Sequence, residues 1–443
     1  MRRGVLAGCL FSALWCYSLG TAQAQEWTRF RGPNGTGASD CTTIPVQWTE
    51  TDYCWRVKLP GIGHASPVVW GNKVFTFSAD PTTAKLYVAC HAAEDGRSLW
   101  VRDYATTPHR IHDRNTYASS TPTVDAERLY VPWTTPEQLL LRALDHAGQE
   151  LWTCNLGTWS GDHGFGGSPI LHEDLVILHN AQQAEQLEPG QRAGQSSMVA
   201  VDRRTGKEVW RTLLTTVRTC FSTPFVRQSS SGEPELICAN TGDGIFSLDP
   251  KTGKQNWAIK AFDMRVVNSP VEAGGLVFGS NGSGGYSGNY LVAVRPGATP
   301  ELVYRLKNSS DVKAPYVTCF QAVGNHVFLF YDKGFAGCIE APTGKVGWFK
   351  RTDGAFSGSP VLVRDKIYCI DEEGVVWVIA ADAHEYRLLA KNPLGEGSRA
   401  TPAISGGRMF LRTNSQLFCV GSRNQVAANW LGGCPSASAF AGR

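Results

Sequence analysis

Residues 198–210 read Met-Val-Ala-Val-Asp-Arg-Arg-Thr-Gly-Lys-Glu-Val-Trp, and this stretch decides the fold. A short apolar run precedes a turn that opens on Asp202 and ends near Gly206, and Trp210 follows that glycine by four residues. Aspartate accepts backbone N–H bonds at the start of such a turn, and glycine adopts the positive φ of a bulged hairpin. The stretch therefore predicts two short strands joined by a tight turn.

The same turn returns at residues 249–253, where Gly253 and Trp257 occupy the corresponding positions. A tryptophan at this position recurs along the chain, at Trp100, Trp152, Trp210, Trp257 and Trp348. Such a ring packs over the glycine of a neighbouring unit and buries about 150–250 Å². We expect these tryptophans, with Gly206 and Gly253, to hold adjacent units together.

A second repeat sets the number of units. A small residue followed by proline occurs eight times, at Ser66-Pro67, Thr121-Pro122, Ser168-Pro169, Thr223-Pro224, Ser269-Pro270, Ala314-Pro315, Ser359-Pro360 and Thr401-Pro402. Each unit contains short β-branched or aromatic runs separated by Gly and Asn turns, a pattern typical of strands and not of helical repeats. Four short strands per unit at this period predict an all-β protein, an eight-bladed β-propeller with four-stranded antiparallel blades.

The eighth unit stops after three strands, without a tryptophan strand of its own. The missing strand is present before the first unit, at Trp55-Arg56-Val57-Lys58-Leu59. We expect this N-terminal strand to complete the last blade, because a closed ring leaves no exposed strand edge. The predicted organisation is a signal peptide at 1–24, a lead-in segment at 25–54, the propeller at 55–421 and a disordered tail at 422–443.

The N-terminus predicts export. Arg2 and Arg3 precede an apolar run at 5–19, and Ala22-Gln23-Ala24 forms a cleavage site, so we expect cleavage after Ala24. The run is shorter than the roughly 20 residues that a transmembrane helix needs. The mature protein is therefore predicted to be periplasmic or secreted, with no transmembrane segment.

The net charge and the placement of the cysteines limit the functions that this protein can have. A formal net charge of +3 over 443 residues argues against a nucleic-acid-binding protein. Most cysteines stand singly in apolar runs, which favours buried hydrophobes: Cys90, Cys238, Cys338, Cys369 and Cys419. Cys41 and Cys54 lie in a loop-rich region and could form a disulfide in an oxidising compartment.

The loops that lead to each proline are expected to meet at one mouth of the central channel. Their polar residues form the candidate ligand site: His64, Arg114, Asp162, His163, Arg218, Arg265, Asn268, Lys313, Glu396 and Arg399. A mixed, slightly positive rim suits a polar or anionic small molecule, whereas these groups could instead pair with one another and with water. The long loops at 104–117 and 181–195 are expected on the same face, as a partner surface or partial lid.

No catalytic or metal-binding set emerges from the residues. His64 and His163 lie about a hundred residues apart without a local motif, so we predict no metal site. The stretch Gly282-Ser283-Gly284-Gly285 is interpreted as a flexible loop, since no Lys-Ser/Thr follows it as in a phosphate loop.

Residues 200–210 resemble the tryptophan-docking motif of pyrroloquinoline-quinone (PQQ) repeat propellers, and residues 26–37 resemble the N-terminal signature of secreted members. The resemblance covers residues 26–420. It implies one of two functions: a quinoprotein alcohol or glucose dehydrogenase that uses PQQ and calcium, or an assembly scaffold like BamB, which carries no cofactor.

Two departures from the dehydrogenases favour the scaffold. No two cysteines are adjacent, and eight blades leave little chain for the insertions that build a cofactor funnel. We therefore predict a monomeric, non-catalytic binding or assembly scaffold with no cofactor, whose partner is an envelope protein or a small polar ligand. The alternative is a small PQQ-dependent alcohol or sugar dehydrogenase with Ca²⁺.

Overall fold

The computed structural model describes residues 26–284 and 288–422. Their strands form eight separate sheets, and the only helical elements among them are two 3₁₀ turns at Pro33–Gly35 and Glu50–Asp52. The prediction of an all-β, eight-bladed propeller is confirmed. The predicted signal peptide, the tail from residue 423 and part of the glycine-rich loop at 282–288 lie outside the described residues.

In blades 1 to 7, four antiparallel strands follow one another in sequence. Blade 1 comprises Val68–Trp70, Lys73–Ala79, Leu86–Ala92 and Ser98–Tyr104. Blade 2 comprises Thr123–Val124, Arg128–Thr134, Leu139–Asp145 and Glu150–Asn155. Blade 3 comprises Ile170–His172, Leu175–Asn180, Ser197–Asp202 and Glu208–Leu213. Blade 4 comprises Phe225–Gln228, Pro234–Asn240, Gly244–Leu248 and Gln255–Ile259.

The second half of the ring repeats this arrangement. Blade 5 comprises Val271–Ala273, Leu276–Asn281, Tyr290–Arg295 and Glu301–Lys307. Blade 6 comprises Gln321–Val323, His326–Tyr331, Phe335–Glu340 and Val346–Arg351. Blade 7 comprises Val361–Val363, Lys366–Ile370, Val375–Ala380 and Leu388–Pro393. Blade 8 comprises Ala403–Ser405, Arg408–Arg412, Gln416–Gly421 and the N-terminal strand Trp55–Lys58.

The last blade closes as predicted. Trp55–Lys58 pairs antiparallel with Gln416–Gly421, and Trp55 lies opposite Cys419. The first strand of blade 1 contacts the first strands of blades 2 and 8, and those of blades 5 and 6 contact each other, so the first strand of each blade lies innermost, beside the channel. Apolar side chains fill the space between neighbouring sheets, where Phe75 of blade 1 packs in one buried cluster with Leu129 of blade 2.

The lead-in segment forms a feature that the sequence did not predict. Ala38–Ser39 adds a parallel strand to Val361–Val363, so the sheet of blade 7 has five strands and not four. The segment that precedes it crosses the channel. Trp27 pairs with Val69 of blade 1, and Arg29 Nη2 donates to Pro224 O before blade 4 at 2.6 Å. We call residues 26–39 the plug.

Aromatic side chains join neighbouring blades at five turns. The Trp210 Nε1–H donates to Pro250 O at 3.1 Å, and a Cβ at Gly253 would lie 2.5 Å from the Trp210 ring. The same ring-over-glycine packing occurs at Trp55 with Gly96, Trp100 with Gly148, Trp152 with Gly206 and Tyr304 with Gly344. Only glycine admits a ring so close while holding a positive φ. These contacts connect blades 8, 1, 2, 3 and 5 to the turn of the next blade along the ring.

Two of the expected tryptophans behave differently. Trp257 Nε1 donates to Glu235 Oε1 of its own blade at 2.9 Å, because the matching turn of blade 5 has no Asp-x-x-Thr-Gly sequence. Trp348 Nε1 donates to Asp382 O at 2.8 Å, but the turn of blade 7 carries no glycine, and Tyr386 packs against the ring instead.

No disulfide joins any of the ten described cysteines, so Cys41 and Cys54 are not paired with each other in this structure. The Cys41 Sγ lies 3.3 Å from Thr43 Oγ1, whereas the Cys54 Sγ faces Gly421 O of blade 8 at 3.6 Å. The five cysteines predicted to be buried hydrophobes are buried. No helix in the described ranges is long and apolar enough to cross a membrane.

The ring-over-glycine contact gives a first prediction. Gly253 and Gly232 both have positive φ, 71° and 86°, but a Cβ at Gly232 would meet nothing within 4 Å. Both alanine variants carry the same left-handed strain, so Gly253→Ala should lower the free energy of unfolding by about 1–3 kcal/mol more than Gly232→Ala. Urea unfolding followed by tryptophan fluorescence measures the difference, and equal losses would contradict it.

Candidate functional site

A cavity of about 510 Å³ occupies one mouth of the channel. The residues before the first strand of all eight blades line it, together with Phe30 of the plug. The plug contacts residues that follow these positions along the inner strands, so it lies deeper in the channel and closes it below the cavity.

Hydroxyl groups form a ring around the cavity. Ser66 N donates to Thr121 Oγ1 at 3.0 Å, and Thr121 N donates to Ser168 Oγ at 3.0 Å. On the other side Ser359 N donates to Thr401 Oγ1 at 2.9 Å, and Thr401 N donates to Ser66 Oγ at 3.0 Å. The small residue before proline is therefore an acceptor that links neighbouring blades, which explains its recurrence.

The sixth unit departs from the sequence prediction. Its ring position is held by Cys319, followed by Phe320 in place of proline, and not by Ala314-Pro315. Ala314 lies instead in the preceding loop, where its N–H donates to Asn308 Oδ1 at 2.7 Å. The Ala-Pro pair matched the sequence pattern by chance. The Cys319 sulfur accepts the backbone N–H bond that a hydroxyl oxygen accepts in other blades.

Asp162, His163 and Arg265 meet on one side of the mouth. Arg265 Nη2 lies 3.2 and 3.1 Å from the two Asp162 oxygens, and its Nη1 lies 2.9 Å from His163 Nε2. His163 Nδ1 lies 2.7 Å from Asp162 Oδ1, so the carboxylate contacts both the imidazole and the guanidinium. Burial opposes ionisation, but the bonds and charges of His163 and Arg265 hold the pKa of Asp162 well below its usual range.

A second cluster lies on the other side. Arg114, from the long loop before blade 2, pairs with Glu372 of the blade 7 hairpin. Arg399 Nη2 lies 3.5 Å from the same carboxylate, and its Nη1 donates to Arg114 O at 3.1 Å. One carboxylate therefore fixes two guanidinium groups from different loops.

His64 also lines the cavity. Burial, and then the positive charges of Arg399, Arg412 and Arg114, lower the pKa of His64 to about 3. Its imidazole is consequently neutral at physiological pH. His163 belongs to the other cluster, where its ring stacks on His112 with centroids 4.5 Å apart.

Both long loops reach the mouth, as expected. Asn115 Nδ2 donates to His163 O at 2.6 Å, and Arg218 Nη2 donates to Gln186 Oε1 at 2.7 Å. Arg110 pairs with Glu188 at 2.8 Å and joins the two loops.

Three predicted residues do not line the cavity. Asn268 is buried and accepts the Ser280 N–H at 3.1 Å, and Glu396 binds the Thr413 and Ser415 hydroxyls of a neighbouring turn. Lys313 lies in the loop before blade 6, away from the cavity lining. The seven others, His64, Arg114, Asp162, His163, Arg218, Arg265 and Arg399, all line it.

Glu372 was missed because it lies in a hairpin between the second and third strands of its blade. Those hairpins reach the same face as the loops that lead to proline, and the sequence analysis considered only the loops. The sequence feature that could have identified Glu372 is the pair of acidic residues beside the glycine of that turn, at residues 372–374.

The carboxylates at the mouth are bound by arginines. Calcium requires about six to eight oxygen ligands. Across 26–284 and 288–422, no three His, Cys, Asp or Glu side chains gather as a metal site, and Asp162 and Glu372 are already paired with guanidinium groups.

Comparison with known proteins identifies the family. A family model described as outer membrane protein assembly factor BamB matches residues 52–219, 194–294 and 305–424. The chain belongs to this family. A tetrathionate hydrolase from Acidithiobacillus ferrooxidans is 28% identical over 144 residues, which is 32% of this chain and only 26% of the hydrolase.

Solved structures share the fold at low identity. BamB from Moraxella catarrhalis matches with a TM-score of 0.57 and 15% identity, over 82% of this chain and 95% of its own. A quinohemoprotein alcohol dehydrogenase from Comamonas testosteroni matches with a TM-score of 0.61 and 13% identity, over 90% of this chain and 80% of its own. The BamB-like chain thus resembles both a scaffold and an enzyme in fold alone.

Asp332 gives a pH prediction. Its buried carboxylate accepts the N–H groups of Tyr316 and Val317, which line the cavity, at 2.7 and 2.8 Å. Burial raises the pKa of Asp332 from 3.8 to about 6, although those backbone bonds oppose the shift. A raised folded-state pKa stabilises the fold below pH 4, and this contribution is lost as pH rises through 6.

The unfolding free energy of the wild type should therefore fall by about 2–3 kcal/mol relative to Asp332→Asn between pH 4 and pH 7.5. Urea titrations of both proteins at the two pH values test this. Parallel pH dependence of the two proteins would show that Asp332 does not titrate in this range.

Proposed function

We propose that this protein is a non-catalytic binding scaffold whose channel mouth holds an anionic group. That group is a carboxylate of a small molecule or of a protein partner's side chain. The observation that carries the proposal is the lining itself: four arginines face Asp162 and the nearby Glu372, above a ring of hydroxyls.

The positive charge at the mouth is only partly compensated. Asp162 pairs with Arg265, and Glu372 pairs with both Arg114 and Arg399. The Arg218 guanidinium contacts the neutral amide oxygen of Gln186. Two carboxylates against four guanidinium groups leave an excess of positive charge, which attracts an anion into a cavity with low-dielectric walls.

The ring hydroxyls add hydrogen-bond donors. Six of these oxygens accept backbone N–H bonds, and no O–H donation by them is found among the described residues: Ser66, Thr121, Ser168, Ser269, Ser359 and Thr401. A bound oxyanion would accept these donors together with the arginine N–H groups, and charge-assisted bonds of this kind are the strong ones.

The scaffold role is also supported by family membership, since the matching family is described as an assembly factor. We further propose that the mature chain works outside the cytoplasm, on the basis of the predicted export signal, and that its partner is an envelope protein or a small anion. The paired carboxylates are poor calcium ligands, which supports a function without PQQ.

Cofactor reconstitution tests the choice between scaffold and dehydrogenase. Purified protein is incubated with PQQ and Ca²⁺ and assayed for dye reduction with primary alcohols and with glucose. We expect no substrate-dependent dye reduction. Turnover that requires both PQQ and Ca²⁺ would overturn the non-catalytic proposal.

Anion binding is tested with benzene-1,3,5-tricarboxylate and its neutral tricarboxamide by isothermal titration calorimetry. The tricarboxylate should bind more tightly, and Arg218→Ala should weaken it about tenfold through loss of a charge-assisted hydrogen bond. Arg295→Ala is the matched control, because Arg295 forms an exposed ion pair with Glu301 on the outside of blade 5. Equal affinity for both compounds, no binding of either, or equal loss in both variants would contradict an anion site at the mouth.

A further inference from the structure

Two arginines lie on opposite sides of the channel mouth. Arg218 belongs to the loop that leads to blade 4, Arg399 belongs to the loop that leads to blade 8, and both line the cavity. We propose that the cavity binds a small dicarboxylate, with one carboxylate at each of these arginines and an apolar chain between them. This inference names the ligand class of the anion site proposed above and therefore rests on that function.

The ring bonds show that the two loops face each other. Four consecutive bonds of 2.9–3.3 Å lead around the ring from Thr223, before blade 4, to Thr401, before blade 8. Each bond advances the ring by one blade, and the closed ring has eight, so four bonds reach the opposite side. The cavity of about 510 Å³ lies between these loops, and a single carboxylate group would fill only a small part of it.

Each arginine is held on its own side of the mouth. Arg218 Nη2 donates to Gln186 Oε1 at 2.7 Å, and its Nε and Nη1 have no partner among the described residues. Arg399 Nη1 donates to Arg114 O at 3.1 Å, and its Nη2 lies 3.5 Å from Glu372. Because different loops fix the two guanidinium groups, one compact anion in the middle of the mouth does not satisfy both. A ligand with two separated anionic ends does.

The charge at the mouth also favours two anionic ends. The four guanidinium groups that line the cavity carry two more charges than the two carboxylates that pair with three of them, Asp162 and Glu372. One negative charge on a ligand balances half of this excess, whereas two balance all of it. The mouth therefore attracts a dianion more strongly than a monoanion, and added salt weakens that preference.

Apolar side chains line the cavity between the two arginines. Phe30 reaches it from the plug below, and Val267 and Val317 belong to the loops before blades 5 and 6, which separate the two arginines around the ring. All three are partly exposed. Methylene groups that cover them would gain about 25 cal/mol for each Å² of apolar surface removed from water. A hydrocarbon chain between the two carboxylates fits this lining.

Isothermal titration calorimetry at pH 7.5 with four compounds separates charge from span. Suberate has two distant carboxylates, malonate has the same charge on two adjacent ones, monomethyl suberate has the same chain with one charge, and dimethyl suberate has none. We expect suberate to bind at least tenfold more tightly than malonate and monomethyl suberate, because only suberate reaches both arginines. Dimethyl suberate should give no measurable binding.

Variants at the two arginines locate the ends of the ligand. Arg218→Gln and Arg399→Gln should each lower the affinity for suberate about tenfold and bring it close to that for monomethyl suberate, since each removes the contact at one end. Arg295→Gln is the matched control on the outside of blade 5 and should keep the full preference for suberate. Thermal unfolding of each variant verifies that it is folded.

The outcomes distinguish this inference from the function on which it rests. Equal affinity for suberate and malonate, or for suberate and monomethyl suberate, would overturn the two-ended ligand and leave the anion site intact. So would binding of benzene-1,3,5-tricarboxylate without binding of suberate. A preference for suberate that persists in both Arg218→Gln and Arg399→Gln would also overturn it. If none of these anions binds, the proposed anion site itself is contradicted.

Discussion

The pairing of the N-terminal strand with the last blade is the constraint on which the structure depends. Trp55–Lys58 supplies the fourth strand of blade 8, and Cys54 N and Leu59 N extend the pairing through bonds of 2.8 Å to Cys419 O and Ser415 O. Eight sheets arranged about an axis bury their apolar faces only against each other, so an open ring would expose two of those faces and a strand edge. Closure fixes the curvature of the whole ring.

The plug extends this constraint into the channel. Residue 55 is held in blade 8, and the chain before it crosses the channel. There Ala38–Ser39 pairs with the first strand of blade 7, and Arg31 hydrogen-bonds to blade 6. This fills the deep part of the channel and leaves a cavity open at one mouth. The charged loops above it are held by ion pairs that join distant blades, such as Arg114 with Glu372.

The sequence was sufficient for the fold because the information is local and repeated. Each Asp-x-x-Thr-Gly turn and each small residue before proline encodes its own hairpin or ring bond, and the incomplete eighth unit implied the closing strand. The predictions that failed concern blades whose sequence departs from the repeat. Cys319-Phe320 stands in blade 6 where other blades have a hydroxyl residue and proline, and Trp257 donates its hydrogen bond to Glu235 of its own blade. The plug was not predictable, since most of its contacts join residues far apart in sequence, such as Arg29 with Pro224, 195 positions away, and Arg31 with Phe320, 289 positions away. For the same reason the pairing partners at the mouth could not be read from loop composition, although seven of ten candidate residues reach it.

Hydrogen exchange of the protein tests ring closure most directly. Amides of residues 55–58 should exchange as slowly as those of Arg408–Arg412 and Gln416–Gly421, because all three strands belong to one sheet and open together. Rapid exchange of residues 55–58, with slow exchange retained in the other two strands, would show that the N-terminal strand does not close the ring.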